Sequence, residues 1–110
     1  MPGYYVIQKG PTGQFHFNLK ADNHETILTS ESYTSKQGAH TGIASCQINS
    51  PLDARYDKRL SLISQPYFVL KAANGEIIGN SQMYSSAAAR DSGIASCKIN
   101  GPTTVVKDLS

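Results

Sequence analysis

The chain has 110 residues, a formal net charge of +2 and a hydrophobic share of 39%. That length is close to one ordinary domain, and the hydrophobic share can fill a core, which excludes wholesale disorder. So small a charge does not by itself argue for nucleic-acid recognition, and no apolar run approaches the ~18 residues of a membrane helix.

The opening stretch, MPGYYVIQKG, lacks the basic-then-apolar layout of an export signal. With two cysteines and no CxxC pair, the expectation is a cytoplasmic protein with free thiols. Tyr4 to Lys9 is rich in aromatic and branched residues and predicts a strand. GPTG, at Gly10 to Gly13, is turn chemistry. Phe15, Phe17, Leu19 and Ala21 then alternate with His16, Asn18 and Lys20, which predicts a half-buried second strand. A hairpin is expected at Asp22-Asn23-His24, and a third strand over Glu25 to Glu31. After Tyr33 the period changes. Thr34-Ser35 is N-cap material, and a helix is expected to about Ile48, with Ala39, Gly42, Ile43 and Cys46 on one face. Asn49-Ser50-Pro51 ends it, and a short strand follows around Ala54 to Leu60.

The chain then repeats itself. Shifted by 51, Phe17–Pro51 lies over Phe68–Pro102 without gaps, and 18 of the 35 columns are identical. They include Lys20/Lys71, Asn23/Asn74, Glu25/Glu76, Tyr33/Tyr84, Ser35/Ser86 and the word GIASC at Gly42–Cys46 and Gly93–Cys97. The second copy predicts strands around Phe68 to Ala72 and Glu76 to Gln82, a two-residue hairpin at Asn74-Gly75, a helix to about Ile99 and a last strand over Thr104 to Lys107. The fold class is α+β: one domain over residues 1–110, with repeat one about 4–54 and repeat two about 55–108. Two copies are too few for a solenoid, so each is expected to bury its apolar face against the other as a pseudo-two-fold pair. In that reading Gly42 and Gly93 let the helices approach the sheet closely, Ile43 and Ile94 fill the layer between, and Cys46 and Cys97 act as small buried apolar residues. Ser45 and Ser96 are expected to point away from that face.

The unit β-β-β-α-β, with FxLKAxNxExI, SxxYxS, GIAS and a following Asn, resembles the YegP-like family of small proteins of unknown function, from Tyr4 to Leu109. The resemblance implies an antiparallel sheet with helices on one face, and a last strand of each unit joining the sheet of the other. Residues 53–60, DARYDKRL, would close the first unit and open the second. It also implies a monomeric two-unit chain, and it brings no activity and no catalytic residues. Two features depart from the family pattern: the cysteines stand where an aliphatic residue is expected, and Pro66 stands in LSLISQPYF, at the start of the second copy's strand.

No catalytic, cofactor-binding or metal-binding set is expected. His16, His24 and His40 have no counterpart in the second copy, and Ser45 and Ser96 have no neighbouring base. The surface singled out is the sheet face without helices, carrying His16, Asn18, Lys20, Tyr67 and Lys71, with a Lys–Glu cross-strand pair as its ordinary explanation. The expected function is a non-enzymatic binding or interaction module on that face. Its partner is a protein or an anionic ligand and not a membrane. A weak single-stranded nucleic-acid binder is the alternative, with an enzyme of unknown type disfavoured.

Overall fold

A computed structural model describes residues 3–110, so Met1 and Pro2 of the expected domain lie outside the described residues. The order is β1 (Tyr4–Lys9), β2 (Phe15–Lys20), β3 (Thr26–Ser30), α1 (Lys36–Asn49), a 3-10 turn (Asp53–Arg55), β4 (Tyr56–Leu60), β5 (Pro66–Lys71), β6 (Ile77–Asn80), α2 (Ala87–Asn100) and β7 (Val106–Asp108). Ser35 and Ser86 cap the helices, each accepting from the amide three residues on, at 3.0 and 3.1 Å.

All seven strands form one sheet in the order β4-β5-β6-β3-β2-β1-β7. The two halves meet where β3 pairs with β6. There Thr29 faces Asn80, and 80 − 29 is 51, the repeat offset, so a pseudo-dyad passes through that pair. The sheet is mixed and not antiparallel as the sequence suggests, because β7 runs parallel to β1. Strand directions alternate from β1 through β2 and β3 to β6, so β6 runs opposite to β1; α2 returns the chain into β7 opposite to β6, and β7 therefore runs with β1. The expected strand exchange is also one-sided. β7 of repeat two lies on β1 of repeat one, but residues 53–60 serve only as the edge strand of repeat two, since the chain leaving α1 runs directly into β4.

The hairpin at Asp22-Asn23-His24 has the expected three residues, whereas that at Asn74-Gly75 takes in Ala73 and is not the two-residue turn expected. Gly10 donates to Gln14, Ala21 to Glu25, Ser61 to Gln65 and Ala72 to Glu76, each closing a three-residue loop. The last loop residue takes positive φ in every case: Gly13 at 84°, His24 at 71°, Ser64 at 61° and Gly75 at 87°. This is a type I turn followed by one left-handed residue. Pro66, aligned with Phe15, opens β5 without a donor. Tyr33 and Phe15 exchange two backbone bonds, whereas in repeat two only Tyr84 N–H to Pro66 C=O remains, at 2.8 Å.

Both helices lie on one face and each crosses the boundary between repeats: α1 touches β5 and β6, and α2 touches β2 and β3. Tyr5, Phe17, Leu19, Leu28, Phe68 and Leu70 from the sheet are fully buried with Cys46 and Cys97 from the helices. Tyr5 meets Phe17 edge-on at 5.6 Å and Phe17 stacks on Tyr33 at 6.3 Å; Tyr56, Phe68 and Tyr84 repeat this at 5.6 and 6.4 Å.

Candidate functional site

The repeat-identical polar residues converge on two clefts related by the pseudo-dyad. Each is walled by a β-hairpin of one repeat and the helix of the other. One, of about 490 Å³, sets Tyr33, Thr41, Gly42 and Ser45 against Asn74 and Glu76. Its twin, of about 220 Å³, sets Tyr84, Ser92, Gly93 and Ser96 against Asn23 and Glu25. The sequence marks these columns as identical or similar. It carries no signal that the hairpin of one copy faces the helix of the other, because that is decided by the pairing of β3 with β6.

Most of these residues also have a structural duty. A Cβ on Gly42 would strike the Tyr33 ring, its Cζ at 2.7 Å and the hydroxyl closer still; on Gly93 it would strike Tyr84 in the same way. The close approach expected of these glycines is therefore made by a tyrosine ring lying over the helix, and not by bare sheet backbone. Asn23 and Asn74 each accept the amide two residues on, at 3.1 and 3.0 Å, and shape their hairpins. Ser45 and Ser96 are half-buried and do not point away. Each takes a hydrogen bond from the buried amide of Asn49 or Asn100, at 3.2 and 3.1 Å, one helical turn on. Asn100 Oδ1 then accepts the Gly3 amide at 2.7 Å, and Asn49 Oδ1 accepts Arg55 Nε at 2.9 Å. Glu25 and Glu76 are different: among the described residues neither carboxylate makes a hydrogen bond or an ion pair.

Electrostatically each cleft holds one carboxylate among neutral donors. Burial raises the phenol of Tyr33, with Cys46, Glu31 and lastly Glu76 adding; burial raises Tyr84 against a hydrogen bond with Gln82, with Cys97 and lastly Glu25 adding. The hydroxyls therefore stay protonated near neutrality and can donate.

On the sheet face singled out from sequence, one side is self-neutralised. Lys71 pairs with Asp57 at 3.5 Å and Asp57 also binds Arg59 at 2.8 Å, so the lysine's partner is this aspartate and not the glutamate expected. Hydrogen bonding to Arg59 first, and then the cationic charges of Arg59 and Lys71, hold the Asp57 carboxyl below its usual range. Asn18 Nδ2 donates to Thr29 Oγ1 at 2.9 Å across the strands. Lys20, His16 and Tyr67 are half-buried on the same face, and Val69 beside them is 2% exposed, covered by its neighbours alone. His24 binds the Tyr4 hydroxyl at 2.7 Å, and His40 is exposed on α1. Cys46 and Cys97 are free and fully buried, as their place on the helix face predicts.

These features define a tandem-repeat α+β protein with paired polar clefts. The model of the domain of unknown function DUF1508 matches it twice, over residues 12–57 and 64–108, and the chain belongs to that family. A UPF0339 protein of Shewanella oneidensis is 58% identical over 110 residues, covering 100% of both chains. The UPF0339 protein YegP of Escherichia coli K12 is 54% identical over 108 residues, covering 98% of each. Two solution NMR structures have nearly the same fold. The Shewanella UPF0339 protein superposes with a TM-score of 0.93 at 59% identity, over 99% of this chain and 92% of that one. The E. coli YegP structure, titled a protein of unknown function, gives 0.94 at 53% identity, over 99% and 94%.

Proposed function

We propose that the protein is a non-enzymatic binding module whose ligand sites are the twin clefts. The supporting observation is that Glu25 and Glu76 are kept in both repeats, each line a cleft together with a tyrosine of the other repeat, and have no partner within the described residues. A carboxylate beside hydroxyl groups matches a small ligand carrying a primary amine and hydroxyls. Two free thiols fit a reducing compartment, and a cytoplasmic location is part of the proposal; no helix among the described residues is long and apolar enough to cross a membrane.

The test is amide NMR on titration with glucosamine, a hydroxylated primary amine. Saturable shifts at Ser92, Ser96 and Glu25, or at their counterparts around Glu76, are expected, and they disappear in the Glu25→Gln/Glu76→Gln double variant. An unresponsive spectrum at millimolar probe rejects the clefts. The open sheet face is the second reading, favoured by one observation: Lys20 is repeated as Lys71 and has no ion pair among the described residues. Its ligand would be an anionic partner or a short nucleic-acid strand. Salt-dependent shifts of Lys20 and Lys71 with a short single strand would move the site there.

A further inference from the structure

The two repeats end differently, and the difference leaves one edge of the sheet open. In repeat one, β1 is covered by β7. Tyr5 N–H donates to Val105 C=O at 2.9 Å, and Leu109 N–H donates to Ile7 C=O at 2.9 Å. Helix α1 clamps the same segment from the side: Gln47 Nε2 donates to Thr103 C=O at 2.8 Å, and Lys36 pairs with Asp108 at 3.0 Å. Val106 sits against the core, directly opposite Tyr5.

Shifted by 51, the same cradle exists in repeat two, and no strand among the described residues lies in it. Tyr56 stands for Tyr5, Lys58 for Ile7, Ile94 for Ile43 and Lys98 for Gln47. Between β4 and α2 lies a groove of about 410 Å³ floored by Tyr56, Ile94 and Ala95. The backbone beside it faces outward. Lys58 is paired with Phe68, whose own N–H and C=O turn to Ser81 on the β6 side. In an antiparallel pair, facing residues turn their amides the same way, either both toward each other or both apart. Lys58 N–H and C=O therefore point to the free edge, as those of Ile7 point to β7.

We infer that the β4 edge is a peptide-docking site that takes an extended segment of a partner protein, parallel to β4, as a further strand of the sheet. The occupied twin sets the chemistry of the segment. A β-branched apolar residue faces Tyr56 and Ile94, as Val106 faces Tyr5. An acidic residue stands two positions on, facing Lys58, as Asp108 faces Ile7. Lys58 is held by Asp91 at 3.2 Å, but Arg90 also binds Asp91 at 3.2 Å, so the lysine can turn to a new carboxylate without stranding the old one. Lys98, placed as Gln47 is, pairs with Asp53 at the groove, and its ammonium has further protons to donate to a peptide carbonyl. A segment running along β4 then reaches the hairpin tip, where Leu60, Leu62 and Ile63 are 63%, 106% and 75% exposed. Such an apolar rim beside an open edge is where strand addition gains side-chain burial on top of its backbone bonds.

The probe is a synthetic peptide with the sequence of residues 103–109, Thr-Thr-Val-Val-Lys-Asp-Leu, titrated into the intact protein under amide NMR. Expected are saturable shifts along Tyr56–Leu60 and slowed exchange of the Lys58 amide. Binding at least tenfold weaker is expected for Ala95→Arg, an exposed helix position that plugs the groove without touching the sheet, and for a peptide with proline in place of its lysine, whose amide lies on the bonding side of the strand. The inference is overturned if the shifts fall on Tyr5–Ile7, which would mean β7 is being displaced. Absence of any saturable change at millimolar peptide overturns it too. So does protection of the Lys58 amide that rises with protein concentration alone, which would make a second copy the occupant.

Discussion

The two cysteines show how position sets reactivity. Burial pushes the Cys46 thiol up to about 12, with the nearby Cys97 adding and the neighbouring Tyr5 hydroxyl opposing; burial pushes Cys97 up to about 11, against the neighbouring Tyr56 hydroxyl. The unfolded chain ionises near 9.0, so the folded state holds its protons to higher pH. Stability from these groups is full below about pH 9 and is lost as pH climbs toward 11 to 12. The slope is about 1.4 kcal/mol per pH unit for each thiol. Urea denaturation across that range should show the fall, and a Cys46→Val/Cys97→Val variant should show less of it. A thiol reagent at pH 8 should label neither cysteine until denaturant is added. Gly93 gives a second test at this scale. Gly93→Ala places a methyl under the Tyr84 ring and should cost about 1–3 kcal/mol by overpacking. Tyr84→Phe, which removes the nearest atom, should recover part of that in a double-mutant cycle.

Among the elements, the hairpins carry the clearest legacy of duplication. All four use one loop geometry, yet the left-handed position holds glycine in only two of them. Ser64 bears a Cβ where its counterpart Gly13 bears none. A left-handed non-glycine residue costs about 1–2 kcal/mol. Ser64→Gly should therefore raise stability by about 1 kcal/mol, partly offset by the greater freedom of glycine in the unfolded chain, and thermal unfolding will read it. His24 is a different case despite the same φ, since its ring holds the Tyr4 hydroxyl; His24→Gly should gain less.

For the whole molecule, symmetry itself is the constraint. Tyr5 of repeat one donates to Gly101 C=O at the end of α2, at 2.6 Å, and Tyr56 of repeat two donates to Ser50 C=O at the end of α1, at 2.5 Å. Each helix is thus held by a tyrosine of the opposite unit. The helix ends meet, and a Cβ on Gly101 would collide with the Ser50 side chain. Two serines do not fit in that space, which explains why this column differs between copies. β6 likewise closes on β3 through Gly79, where a Cβ would lie 3.1 Å from Ser30 Cα, while the matching Leu28 buries a full side chain. Gly101→Ser should destabilise by about 1–3 kcal/mol, and adding Ser50→Gly should restore most of it by moving the side chain across the dyad. Among the described residues Ser50 Oγ has no hydrogen-bond partner, so its removal forfeits none there.

The sequence by itself determined the repeat, the helices with their serine caps, and the burial of Phe17, Ile43 and Cys46 with their counterparts, because each is written in local spacing and in columns that recur 51 apart. It also singled out Glu25, Glu76, Lys20 and Lys71, since identity between copies is visible without coordinates. Only the tertiary structure decided what those residues face. The clefts join a hairpin of one copy to the helix of the other, Asp57 and not Glu76 meets Lys71, and β7 enters parallel to β1 while β4 is left as an edge. The physical reason is one of range. Periodicity and capping act over a few residues, but the partner of a strand edge or a cleft wall is chosen by how two apolar faces close on each other across the dyad. One continuous chain cannot make both ends of that dyad alike.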